Sequence, residues 1–91
     1  MPAIRLIVHG RVQGVSYRRW TVTTATEKGL SGWVRNRRDG TVEMVVSGEE
    51  AAVSAMQEAC KRGPTLARVD KLEAIAWEGS VREGFELKET C

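Results

Sequence analysis

Histidine occurs once in these 91 residues, as His9, and cysteine twice, as Cys60 and Cys91. One histidine excludes every motif that needs two, His-Glu-x-x-His among them. The cysteines form no Cys-x-x-Cys pair, so zinc-ribbon and thioredoxin chemistry are excluded. Cys60 reads as a small buried hydrophobe on a helix and Cys91 as a frayed free thiol. Aromatics are scarce at 5%, and no apolar run approaches the roughly 18–20 residues of a membrane span. Met1-Pro2-Ala3-Ile4-Arg5 carries no long apolar run, so no secretory leader is read, and cytoplasmic location without membrane partners is expected. Acids are nearly missing from the first forty residues. Glu27 and Asp39 stand there against eight Lys and Arg, a balance of +6, while the remainder carries −4. Such asymmetry suits an anionic partner, or a dipolar surface with none.

The length argues for a single domain over residues 1–91 with one modest core. No repeat, low-complexity tract or linker interrupts it. Ile4, Leu6 and Val8 share a face at period two, a strand over 4–9 whose Ile7 points to a central position. Gly10–Gly14 reads as a loop. Tyr17–Lys28 reads as a helix despite four threonines, because it ends on Lys28-Gly29. Strands 32–36 and 41–46 flank Arg37-Arg38-Asp39-Gly40, a hairpin turn ending in Asp-Gly. Ser47 and Glu50 have the spacing of a capping box, followed by a stripe of Ala52, Met56, Ala59 and Cys60 and a stop at Gly63-Pro64. The alternation over 69–77 slips, which a bulge near Lys71 reconciles, and Phe85-Glu86-Leu87 forms a short last strand. The order βαββαβ plus that strand is an α+β, ferredoxin-like sandwich: an antiparallel sheet with both helices on one face. That fold decides no function.

Two segments carry chemistry. Gly10-Arg11-Val12-Gln13-Gly14-Val15-Ser16-Tyr17-Arg18 joins a strand to a helix start, where free N–H groups and the dipole favour an anion. Its glycines let successive N–H groups converge, and Arg18 at a positive helix end makes sense with an anion between. The plainer reading is a tight turn with a surface arginine. The loop is neither a Walker loop nor a dinucleotide fingerprint, and Gly14-Val15-Ser16-Tyr17-Arg18 lacks the last glycine of a nucleophile elbow. In the second segment Asn36, after Gly32-Trp33-Val34-Arg35, is either a turn residue or an amide that holds a water. Pairing its strand beside the first would bring it near the loop.

These residues resemble the acylphosphatases. Gly-x-Val-Gln-Gly-Val-x-aromatic-Arg stands intact as Gly10 to Arg18. Gly-aromatic-x-x-Asn-x-x-x-Gly-x-Val stands as Gly32 to Val42, with Gly48 beyond it. Lys28-Gly29-Leu30, Gly63-Pro64 and Gly84-Phe85-Glu86-Leu87 are also similar to that family. The resemblance implies metal-free, cofactor-free hydrolysis of the carboxyl–phosphate bond of small acyl phosphates. It implies that Gly14, Val15, Ser16, Tyr17 and Arg18 bind the phosphoryl group, and that Arg18 and Asn36 are catalytic, Asn36 by positioning water. Ser16 occupies the variable slot, where its hydroxyl is placed to add a phosphate contact. Arg37 and Arg38 read as solvated charges. A monomer is expected. Three other readings compete: a phosphate-binding or maturation module, an RNA-recognition module of the same fold, and an inert domain. An RNA-recognition module would need sheet aromatics where this chain has Leu30 and Gly32.

Overall fold

A computed structural model describes residues 2–91. The elements are β1 (Ala3–Arg11), α1 (Tyr17–Glu27), β2 (Ser31–Asn36), β3 (Val42–Ser47), α2 (Glu50–Cys60), β4 (Arg68–Ala76) and β5 (Phe85–Leu87). Two helices pack on one face of a five-stranded sheet ordered β4-β1-β3-β2-β5. The first four strands pair antiparallel with their neighbours, whereas β5 joins β2 in parallel, so the sheet is mixed. The expected place of β2 beside β1 is corrected, because β3 lies between them. Each pairs antiparallel with β3, so β1 and β2 run parallel. Both therefore end at the same edge of the domain.

Period two sorts the residues into two faces. Leu6 and Val8 on β1, Val34 on β2, and Val42, Met44 and Val46 on β3 meet Tyr17, Ala25, Met56 and Cys60 from the helices. Inward residues of α1 recur at i, i+4 and i+8 as Tyr17, Thr21 and Ala25, one helical stripe. Thr21 Oγ1 donates to the Tyr17 carbonyl at 2.9 Å, which satisfies its hydroxyl inside the core. The helix closes with Leu30 N–H to the Ala25 carbonyl and Gly29 N–H to the Thr26 carbonyl, a Schellman motif. Threonine-rich α1 is thus held by packing and its cap, which override propensity.

Other expectations are corrected. Ser47 caps nothing: it pairs with Ala3 and Ser31 in the ladder, and α2 starts at Glu50 with Glu49 in the cap position and no side-chain cap bond. Its inward stripe includes Val53, while Ala52 packs only at the margin. β1 continues through Gly10 and Arg11, because the ladder with β4 shifts between His9 and Gly10, opposite Lys71 and Val69. Asp70 is the extra residue, so the bulge expected near Lys71 is present. Cys60 is buried, its Sγ 3.7 Å from Met44 Sδ, and burial pushes its thiol up to about 12. Cys91 is free and exposed, yet its backbone is not frayed. Its N–H donates to the Asn36 carbonyl at 3.1 Å and its carbonyl accepts from Arg38 N–H at 3.0 Å.

Opposite the helices, Glu43 on β3 lies between two guanidiniums. Arg5 of β1 donates from Nε at 2.5 Å and Arg35 of β2 from Nε at 2.7 Å. Glu43 is only 3% exposed. Burial alone would raise its carboxyl, but hydrogen bonds from Arg5 and Arg35 outweigh this and hold it below the ordinary carboxylate value. On the same face Trp33 meets Trp77 edge-on at 6.3 Å, with Arg35 and Lys88 4.8 and 4.9 Å from its ring centroid. The described helices are 11 residues each, and none is long and apolar enough to cross a membrane.

The Glu43 carboxylate supports a stability prediction. Its folded pKa is depressed, so the stability it adds is present above the unfolded value and disappears as pH falls through the folded one. Glu43→Gln should cost about 1–2 kcal/mol at pH 7, since half-exposed arginines left behind stay hydrated. Urea denaturation should show that gap closing as pH falls below the ordinary glutamate value of about 4.3.

Candidate active site

A cleft of about 350 Å³ opens where β1 and β2 end. It is lined by Val12, Gly14, Ser16, Tyr17, Arg18, Arg19, Asn36 and Leu87. Its shape begins with the chain after β1. Val12 and Val15 are buried at 1% and 6% exposure, so the two apolar side chains fasten the loop down. Gly14 and Ser16 remain on the surface. Gly14 has φ +74° and Ser16 φ +64°, both left-handed. For glycine that conformation is free, whereas for serine it costs about 1–2 kcal/mol. Alternation of this kind turns successive N–H groups inward to form an anion nest.

The nest runs into the start of α1. Trp20 N–H to the Ser16 carbonyl at 3.0 Å is the first helical bond, so the N–H groups of Tyr17, Arg18 and Arg19 have no intrahelical acceptor. Ser16 makes no side-chain cap bond and the first turn has no acid. Arginine occupies its second and third positions, against the usual preference for carboxylates there. Tyr17 anchors this turn. Its ring is 1% exposed and its hydroxyl donates to the Cys60 carbonyl at 2.7 Å, tying the start of α1 to the end of α2. Burial pushes the phenol far above its ordinary value, so it remains a donor. A β-carbon at Gly63 would sit 2.5 Å from the Tyr17 ring, so only glycine lets the chain pass there.

Asn36 ends β2 on the opposite wall. Its Oδ1 is buried and accepts no hydrogen bond from any described residue. A buried amide oxygen without a partner costs free energy, and the residue that carries it lines the cleft. The hairpin holds it in place: Arg37 N–H donates to the Thr41 carbonyl at 2.9 Å, and Asp39 accepts from Thr41 N–H at 3.0 Å and Oγ1 at 2.6 Å. Those bonds lower the Asp39 carboxyl. Gln13 joins the walls. Its Nε2 donates to the carbonyls of Arg37 at 2.7 Å and Thr41 at 2.9 Å, so the nest loop is bolted to the turn after Asn36.

Of the residues singled out from sequence, Gly14, Ser16, Tyr17, Arg18 and Asn36 line one cleft, while the Val15 side chain turns into the core. Arg37 and Arg38 lie outside the lining. Sequence reading missed Arg19, Val12, the Gln13 bolt, and the final segment. Beyond β5, Lys88 N–H donates to the Val34 carbonyl at 2.8 Å, and the Lys88 carbonyl accepts from Arg18 Nη1 at 3.0 Å. That contact orients the guanidinium and leaves its other donors for a ligand. Leu87 reaches the rim because β5 pairs with β2, for which no local signal exists.

The Gln13 bolt predicts that Gln13→Ala lowers stability in urea unfolding by about 1 kcal/mol, from two lost side-chain hydrogen bonds, each carbonyl keeping one backbone donor. Gln13→Glu, equal in shape but unable to donate when ionised, should be at least as damaging at pH 7 and less so when protonated. Equal stability of all three proteins would mean the bonds hold nothing.

Comparison with known proteins agrees with this fold. The family model described as acylphosphatase matches residues 4–87. An acylphosphatase of Azorhizobium caulinodans is 51% identical over 88 residues, covering 96% of this chain and 95% of that relative. The crystal structure of an acylphosphatase from Bacillus subtilis superposes with a TM-score of 0.91 at 35% identity, covering 97% of this chain and 99% of that one. The crystal structure of full-length HypF in its phosphate- and nucleotide-bound form also matches, with a TM-score of 0.89 at 25% identity. It aligns with 98% of this chain but 12% of its own.

Proposed function

This chain belongs to the acylphosphatase family and is an acylphosphatase, and we propose that the cleft between Gly14–Arg18 and Asn36 hydrolyses the carboxyl–phosphate bond of small acyl phosphates without a metal. The observation that carries this reading is that Asn36 and an uncapped, arginine-bearing helix start line one cleft. An anion acceptor and a water acceptor are what hydrolysis of a phosphoryl group requires at two neighbouring points.

In this reading the N–H groups from Gly14 to Arg18 and the Arg18 guanidinium bind the phosphoryl oxygens. Arginine suits them because its planar fork donates two parallel bonds to a phosphate. Asn36 Oδ1 accepts a hydrogen bond from a water and turns its lone pair toward phosphorus. The water oxygen forms the new bond to phosphorus as the bond to the acyl oxygen breaks. The electron pair leaves with the carboxylate, and the water's proton passes to a phosphoryl oxygen. A carboxylate is a good leaving group, so the transition state is loose and its charge rests on the equatorial oxygens. Catalysis then needs positioning and a fixed positive field more than a strong base. The cleft lining fits that need, with two arginines and no carboxylate, imidazole or thiol. Cys60, raised to about 12 and enclosed by core, is no nucleophile at neutral pH.

Steady-state hydrolysis of benzoyl phosphate in EDTA tests the proposal. Asn36→Ala should lower kcat by about 10²–10³ with little change in KM, the loss of a single positioning group. Arg18→Ala should lose binding and turnover together, by about 10³ or more in kcat/KM. Inorganic phosphate should compete with substrate in the wild type and not in Arg18→Ala. Normal turnover by either variant, or wild-type turnover that EDTA abolishes and a divalent ion restores, would overturn it.

A further inference from the structure

We propose that Arg19 is a specificity-determining residue that selects acyl phosphates carrying a second anionic group on the acyl part. This inference rests on the reading of the cleft just given. Once the nest, Arg18 and Asn36 are assigned to the phosphoryl group and the water, three lining side chains remain for the acyl moiety: Val12, Leu87 and Arg19. Val12 is 1% exposed with its side chain in the core, so it closes the floor and leaves the apolar contact to Leu87. Leu87 is 49% exposed at the rim, an apolar surface left uncovered by its own chain. Arg19 is the third helical residue of α1 and projects beside them.

Arg19 has no structural employment. No acid pairs with it among the described residues, as with Arg11, Arg18, Arg38 and Arg62, whereas Arg5, Arg35, Arg37, Arg68 and Arg82 each meet a carboxylate; of the unpaired arginines, Arg18 and Arg19 line the cleft. It sits at the positive end of a helix whose first turn holds no acid, where a second cation is locally unfavourable. A guanidinium so placed, next to an open apolar rim, complements a short apolar stem that ends in a carboxylate or phosphate ester. The stem would lie on Leu87, and its terminal anion would take the two-donor fork of Arg19. A neutral acyl group would use the apolar surface alone. Because Arg19 is exposed, the gain is modest and screened by salt.

The test compares two substrates of matched size, 4-carboxybenzoyl phosphate and 4-methylbenzoyl phosphate, by the ratio of their kcat/KM values. In Arg19→Gln the preference for the carboxylated substrate should fall about three- to tenfold through KM, as expected for one partly hydrated charge-assisted pair. Arg19→Lys, which keeps the charge and loses the fork, should recover part of it. Arg62→Gln, which removes an equal charge from the exposed end of α2, should leave the ratio unchanged. Rising salt should erase the difference between wild type and Arg19→Gln. An unchanged ratio in Arg19→Gln, or an equal fall in Arg62→Gln, would overturn the assignment while leaving the hydrolase reading intact. Failure of the wild type to turn over either substrate would overturn both.

Discussion

The carboxylate of Glu43 holds this fold in the register that its site requires. It accepts from Arg5 on β1 and from Arg35 on β2 at once, so one side chain on the central strand grips both neighbours. Strand register is quantised, and a slip of one residue would turn every core residue outward. The grip fixes where β1 hands over to the nest loop and where β2 ends at Asn36. Since both strands run antiparallel to β3, these two ends fall at the same edge. Wherever one of them moves along β3, the cleft opens or closes by a strand step.

The loop after β1 departs from ordinary local rules, and it does so at the site. Ser16 is left-handed, α1 lacks a side-chain cap, and arginines occupy a turn that favours acids. Local penalties persist where surrounding structure over-determines them. Here that support is visible on three sides. Val12 and Val15 pin the loop to the core, Tyr17 fastens the first turn to α2 through the Cys60 carbonyl, and Gln13 fastens it to the hairpin. The unsatisfied donors and positive charge are therefore present before any ligand arrives. On the function proposed above, a phosphoryl group entering this loop would meet a field that needs little reorganisation, which is where electrostatic catalysis gains most.

The last segment supplies the remaining constraint. β5 and the residues after it run along β2, so Lys88 offers its carbonyl to Arg18 and Cys91 pairs with Asn36 and Arg38 through the backbone. The two residues assigned to phosphate and water are thereby held from the same edge. Leu87, carried there by the same pairing, gives the rim its apolar side and leaves Arg19 as its free cation.

Much of this was legible in the chain itself. Period-two alternation set β1 and β3 and their core faces, and Asp-Gly at 39–40 set the hairpin. The glycine-bearing run from Gly10 to Arg18 and the isolated Asn36 were legible as candidates, and the structure brings Gly14, Ser16, Tyr17, Arg18 and Asn36 to one cleft. These are local signals, written within a few residues of where they act. The misreadings are all non-local. Ser47 resembled a cap because its claim by two neighbouring strands depends on partners at positions 3 and 31. β2 was placed beside β1 because strand order is a choice among pairings of similar local quality. The Gln13 bolt, the Lys88 carbonyl and the rim at Leu87 and Arg19 join residues 24 to 70 positions apart, or arise only when β5 docks in parallel. Sequence determined which residues stand in the Gly10–Arg18 loop and at the end of β2. Tertiary structure alone decided that they face each other, because backbone pairing across β3, which no local residue pattern encodes, brings the two strand ends together.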